Sequence, residues 1–490
     1  RHAVVIGGGV AGLAAAHALA REGLRLTVLE RDATPLPGSA VEAFERWDRR
    51  GAPQVLHSHA FLARLRNGLR DRMPELLAAL LENGAYEIRV MDALPETLED
   101  RAPRPGDEDL VLLGCRRTTF EWVLHRAARE LPDLVFRDGT SVLGLETGTG
   151  PDAPRVTGVR VRTSEGREEL VRGDLVVDAS GRRSRVQHWL SDAGIEPIAE
   201  ESEECGIFYA SRFYRLLPGA SEPPREGPIG ADLGYMKFAI FHGDSRIFSV
   251  TLAASPEDAP LRSVLHEAPF EAAARAIPAI RPWLEEGRSE PLTGVHGMAK
   301  LRNRRRRFVR EGRPLALGLH VIGDAAICSN PLYGRGCTLA FVHAWLLQEA
   351  LRAHGDDAEA VALALDEGTR REIVPWYRSA RMQDREAREV AAAQRRGAGE
   401  GAPAGQPADP KAFLRLVMRE GLLPALRTDA TVLRAFLRSF NLLDPPDALM
   451  QNGDVMRRVL AAFQERHARA AGPPLGPARD EMVRLLSDAA

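Results

Sequence analysis

A run of glycines near the start of the chain, Gly7-Gly8-Gly9-Val10-Ala11-Gly12, limits what it can fold into more than any other feature. Residues 2–6 before it are apolar and read as a buried strand. Residues 11–22 after it carry helical apolar spacing, and residues 24–30 alternate as a second strand. Glycines at i, i+2 and i+5 in such a strand–turn–helix unit form a dinucleotide-binding fingerprint. Gly7 permits the tight turn, Gly9 lets backbone approach a pyrophosphate, and Gly12 lets helix pack on strand. The helix N-terminus, with Ala11 in its first turn, offers free N–H groups and its dipole to phosphate charge. Glu30 ends the second strand where it can accept hydrogen bonds from a ribose diol, with Arg31 beside it, and its charge disfavours a 2′-phosphate. This motif leaves NAD and FAD both open.

A second glycine-rich turn narrows the choice. Val321-Ile322-Gly323-Asp324-Ala325 is an apolar strand ending in a small-acid-small turn, and Pro331-x-x-Gly334-x-Gly336 then opens a helix. Asp324 can accept hydrogen bonds from ribityl hydroxyls. Pro331, Gly334 and Gly336 shape a loop whose N–H groups can approach a ring edge that gains negative charge on reduction. One long ligand held at both ends is expected to be FAD.

At 490 residues the chain calls for more than one domain. A net charge of -2 gives no reason to expect nucleic acid or an acidic membrane as partner. Cys115, Cys205, Cys328 and Cys337 show no metal-ligand spacing, so no metal is expected and a reduced, cytoplasmic setting is the default. Residues 3–20 are nearly all apolar or small, but glycines at turn spacing and a following strand argue against a signal peptide or span.

Helical spacing returns at 60–84, as two helices, and at 117–130. Strands are expected at 134–145, 155–163, 168–171, 175–178 and 315–322, and an antiparallel sheet from 206–217 and 235–253. The fold class is therefore α/β: a Rossmann-like FAD-binding domain from 1–200 and 292–350, an inserted antiparallel-sheet substrate domain at 201–291, and a helical C-terminal extension at 351–490. A Gly/Ala/Pro-rich mobile loop is expected at 397–410. The run Arg302, Arg304, Arg305, Arg306 and Arg307 reads as a solvated face.

These motifs together resemble the group A FAD-dependent monooxygenases with the para-hydroxybenzoate hydroxylase fold. Arg117-x-x-Phe120-Glu121 is similar to that family's arginine-bearing helix, which implies that Arg117 lies against FAD. Thr140-Ser141-Val142 resembles the strand whose backbone at Val142 meets adenine. In residues 174–186 Ser180 stands where the family has an aspartate linked with FAD and NAD(P)H handling, which puts direct reduction by a nicotinamide in doubt. Residues 51–59, Tyr209-Ala210-Ser211-Arg212 and Asn330–336 resemble the squalene-epoxidase-like branch, including bacterial epoxidases and hydroxylases. There, Gln54, His57 and His59 lie on a loop near the flavin, although a polar loop whose histidines satisfy backbone groups reads equally well. Arg50 is placed on the pyrophosphate, with Arg46 and Arg49 as competitors. His57, His59, Tyr235 and His242 are the active-site candidates.

The resemblance implies a monooxygenase of secondary metabolism that inserts one oxygen atom from O2 into an alkene or aromatic compound through a flavin C4a-hydroperoxide. NAD(P)H or a separate flavin reductase would supply electrons, and the substrate would be a hydrophobic small molecule. A monomer or homodimer without a transmembrane segment is expected. A reductase of the geranylgeranyl-reductase type is the alternative. A halogenase is disfavoured because the first lysine is Lys237 and no Trp-x-Trp occurs. A flavoprotein without turnover is the remaining reading.

Overall fold

The computed structural model describes residues 1–98, 100–148, 153–224, 229–395, 410–468 and 474–490. The loop expected at 397–410 falls outside these residues except for Pro410. Five parallel strands stand in the order Leu319–Val321, Leu175–Asp178, His2–Ile6, Arg25–Leu29 and Leu134–Arg137. Their apolar runs do not alternate because the inner strands are buried on both faces, as a covered parallel sheet requires. Helix Val10–Ala20 packs against helix Gly336–His354, which leads out of the second glycine turn. The two turns thereby meet. A Cβ on Gly323, which sits at φ +60, would fall 2.6 Å from the Ala11 methyl.

The second large sheet is antiparallel and six-stranded, running from Phe208–Leu216 to His296–Met298. It folds over its own core of Tyr214, Phe248, Phe270 and Trp283. The helices after residue 350 divide among several jobs. Pro410–Thr428, Ala430–Phe440 and Gly453–Gln464 share a separate core around Val417, Val455 and Phe463. Helix Arg479–Asp488 instead places Met482 and Leu486 in the core of the antiparallel sheet. Among the described residues no helix is long and apolar enough to cross a membrane.

The arginine run is not a solvated face. Arg302–Arg307 is a strand paired antiparallel with Ala199–Glu204, in the register Glu200↔Arg306, Glu201↔Arg305 and Glu204↔Arg302. Arg305 and Arg306 are buried. Helix Val374–Arg395 adds Arg381, Arg385 and Arg388, all on the Glu203 carboxylate at 2.7–2.9 Å. Arg385 foremost, with Arg381 and Arg388, overcomes burial to hold the Glu203 carboxyl down to about 2. The glutamates of the paired strand, which also hold the helix arginines, let a polyarginine strand leave water.

Candidate functional site

One cleft of about 1980 Å³ runs past both glycine turns. A pocket for a single small ligand is about 300–1,000 Å³, so this cleft has room for a long cofactor and a second compound. Gly7, Gly9, Ala11, Glu30, Arg31, Gln54, Arg117, Val142, Asp324, Pro331, Gly334 and Gly336 all line it. Gly12 lies behind the wall, where a Cβ would strike the Gly7 carbonyl, and Gly7 holds φ +100. Gly9 and Gly336 would each direct a Cβ into open space. The helices that start at Val10 and Gly336 both lack a side-chain cap, so their N–H groups and dipoles remain for a ligand at two places along one cleft.

Around the first turn the Glu30 carboxylate accepts the Gly8 and Asp32 N–H groups, each at 2.9 Å. Arg50 lies away from the site: its side chain is 85% exposed and pairs with Asp48 at 2.7 Å. Arg49 occupies the buried position instead, donating to the Gly8 carbonyl at 3.1 Å and facing Glu30, Asp32 and Glu121 at 3.4–3.5 Å. Three nearby carboxylates decide which arginine turns inward, and neighbours in sequence do not reveal that. Arg117 donates to Glu121 one turn away and to Cys337 Sγ, each at 2.7 Å. Burial pushes the Asp324 carboxyl up, while Arg182, Arg117 and Arg304 pull it down. An uncovered Gly9, two uncapped helix ends, and Glu30 and Asp324 one at each turn fit a dinucleotide laid along the cleft, and FAD is of that form.

Ser180 donates through both its N–H (2.9 Å) and its hydroxyl (2.5 Å) to one oxygen of Asp178, and Ser184 donates to the other at 2.5 Å. An aspartate at 180 would set a second carboxylate against this buried one. That gives a local physical reason for a serine at this position.

His57 and His59 follow the short turn Pro53–Leu56 and line the cleft. Burial, with His296 and Arg182 adding repulsion, lowers His57 to about 3. Burial and then Arg117 lower His59 to about 3, so both imidazoles are neutral at ordinary pH. His57 Nδ1 lies 3.2 Å from Ser211 Oγ. Ser211 leads to Thr251 at 2.8 Å, Thr251 to Ser58 at 2.7 Å and Ser58 to Ser249 at 2.7 Å. This hydroxyl chain joins the histidine loop to the antiparallel sheet. The reading of the loop missed it, because serine and threonine on strands look like ordinary sheet residues. His59 Nδ1 meets the His57 carbonyl at 3.0 Å. Among the described residues no group of three His, Cys, Asp or Glu is arranged to hold a metal.

His242 also lines the cleft, with Nδ1 3.1 Å from the Glu222 carboxylate and its ring edge-on to Trp283. Tyr235 does not reach the cleft: its side chain belongs to the sheet core and its hydroxyl donates to the Pro477 carbonyl at 2.7 Å. The cleft is also lined by Ile88, Leu112 and Phe241, with Leu437 and Phe440 from helix Ala430–Phe440. No sequence signal ties those last two residues to the site, because they lie more than three hundred positions from the histidine loop.

A family model described as an NAD(P)-binding Rossmann-like domain matches residues 5–63. The chain is 28% identical over 412 residues to Protein Rv3254 of Mycobacterium tuberculosis, covering 77% of this chain and 79% of that protein. It is 26% identical over 230 residues to Squalene epoxidase 1 of Arabidopsis thaliana, 44% of this chain and 38% of that one. Among solved structures, PqsL, a probable FAD-dependent monooxygenase from Pseudomonas aeruginosa, matches with a TM-score of 0.55 at 17% identity. That match covers 80% of this chain and 96% of PqsL. The myxobacterial chondrochloren halogenase CndH matches with a TM-score of 0.57 at 20% identity, covering 100% of this chain and 96% of its own.

Proposed function

We propose that this chain, which has the fold of the FAD-dependent monooxygenases, is an FAD-dependent monooxygenase that inserts one oxygen atom from O2 into an alkene or aromatic group of an apolar small molecule. The product is an epoxide or a phenol-type alcohol. One observation carries the reading: a single cleft holds both glycine turns, with two uncapped helix N-termini, together with neutral histidines and apolar side chains. FAD supplies the redox chemistry toward O2 when bound. Gly9 and Glu30 hold its nucleotide half in this proposal, and Asp324, Gly334 and Gly336 hold the other half. His57 and His59 stay uncharged at neutral pH. Leu112 and Phe241 supply apolar wall for the substrate. Residues 1–200 and 299–350 serve as the cofactor domain and the antiparallel sheet as the substrate domain, whose last strand, His296–Met298, lies past the boundary at 291 expected from sequence. Electrons come from NAD(P)H or from a separate flavin reductase.

The test is reconstitution with FAD, followed by the visible spectrum and O2 uptake. Flavin bands after gel filtration, and O2 uptake matched to oxygenated product, are expected. Absence of flavin bands overturns the reading. Product formed without O2 uptake favours a geranylgeranyl-reductase type of activity. Halide-dependent product favours a halogenase. Anaerobic reduction by NADH, by NADPH or only through an added reductase identifies the donor.

A further inference from the structure

Among the described residues, none of helix Val374–Arg395 lines the cleft, yet the helix holds the second glycine turn. Asp384 on this helix is buried, 3% exposed, and its carboxylate takes three donors. They are Asn303 Nδ2 at 2.6 Å, Asn330 Nδ2 at 2.7 Å and the Tyr333 hydroxyl at 2.7 Å. Asn330 is thereby fixed so that its own oxygen accepts the Leu332 N–H at 3.1 Å, while its N–H donates to Asn303 Oδ1 at 2.9 Å. The bond from the Leu332 N–H to Asn330 Oδ1 caps the short turn Pro331–Tyr333, which Gly334 ends at φ +67. Two turns earlier on the same helix, Trp376 stacks under the Arg335 guanidinium at 4.9 Å, with the Tyr333 ring at 5.0 Å. Three consecutive residues of the turn, Tyr333 to Arg335, are set between contacts that originate on this helix or end on it.

We propose that Asp384 is a positioning residue for the cofactor, acting through residues 330–336, and that helix Val374–Arg395 sets the shape of that turn. This rests on the FAD reading above. A charged acceptor is required because all three partners donate; an amide at 384 would turn its own N–H groups on at least one of them. The turn presents Pro331, Gly334 and Gly336 to the cleft, so a shift in Asn330 moves the groups that face the ligand.

The experiment compares the full-length wild-type protein with Asp384→Asn, Asp384→Ala and Arg385→Ala; Arg385 is on the same helix but only pairs with Glu203. FAD affinity is read by flavin fluorescence, the bound flavin by its visible spectrum and midpoint potential, and the turn by amide hydrogen exchange without FAD. Asp384→Asn is expected to weaken FAD binding by about tenfold or more, as losses of residues that orient a site do. It also shifts the midpoint potential and speeds exchange at the Leu332 and Gly334 amides, while Arg385→Ala matches wild type. Should Asp384→Ala fail to fold, Asp384→Asn and Tyr333→Phe carry the comparison. Wild-type exchange, affinity and potential in Asp384→Asn overturn the proposal. A wild-type protein that binds no FAD overturns the FAD reading itself. Unchanged exchange in Asp384→Asn is a separate failure and overturns the clamp.

Discussion

The two glycine turns that touch at Ala11 and Gly323 are built by opposite means. The first carries its constraints in its own strand–turn–helix unit: Gly7 takes the left-handed backbone, Gly12 gives way to the Gly7 carbonyl, and Glu30 ties down Gly8. The second borrows its shape from outside, through Asn303 on the arginine strand and Asp384 on a helix 54 residues beyond Asn330. A self-constrained turn is intolerant of side chains. A borrowed turn is intolerant of losing distant partners. Substitutions can therefore be sorted by which turn they damage and by what they damage in it.

The largest expected effect is at the buried tie of the first turn. Arg49→Ala leaves Glu30, Asp32 and Glu121 without their shared cation and should cost about 3–5 kcal/mol in urea unfolding. Arg50→Ala should leave the unfolding midpoint at the wild-type value. Equal effects would return the nucleotide end to the assignment made from sequence.

Next comes Gly12→Ala, whose methyl meets the Gly7 carbonyl and should cost about 1–3 kcal/mol by overpacking. Gly336→Ala, with open space at the Cβ position, should leave stability intact. Similar losses at both glycines would erase the distinction between the turns.

Acid sharpens the contrast from another direction. His343 Nδ1 accepts the Gly323 N–H at 3.1 Å, and burial lowers the imidazole to about 3. In the unfolded chain a histidine takes its proton near pH ~6.5. The unfolded state therefore binds more protons between these values, so this part of the stability is complete above pH ~6.5 and falls as the pH drops toward 3. Thermal midpoints measured from pH 7 to 4 should decline, and His343→Gln should flatten that decline. An unchanged slope would remove the second turn from the acid response.

The smallest effect on stability is expected at Gly9→Ala. Its Cβ enters the cleft and meets nothing, so the melting midpoint stays put while FAD affinity falls several-fold in a fluorescence titration. Undiminished affinity would detach the first turn from the cofactor.

The parallel sheet was legible because its strands are short apolar runs between glycines and polar caps; their order and register were not. Nor were the glutamate and arginine strands. Charge alternation carries no hydrophobic period, and only the pairing of residues 199–204 with 302–307 turns two hydrophilic segments into sheet. At the cleft, residues that act through backbone geometry were found by their spacing. Arg49 was not separated from Arg50, since the choice depends on Glu121, 72 residues away. Tyr235 was assigned to the site because an aromatic residue on a strand can face either side, and here it faces the core. Asp384 offered no motif at all; one acid in an arginine-rich helix becomes informative only when three donors are seen to converge on it.

The seating of Met482 and Leu486 in the core of the antiparallel sheet bears on how the chain is made. The strands of that sheet lie between residues 208 and 298, so they emerge from the ribosome nearly two hundred residues before the helix that fills their core. Until that helix arrives, Phe270 and its neighbours stand on an unfinished surface that chaperones would recognise. A fusion or trim at residues 479–488 would thus act on the sheet, far from the cut in sequence, and register as poor yield before it registered as poor catalysis.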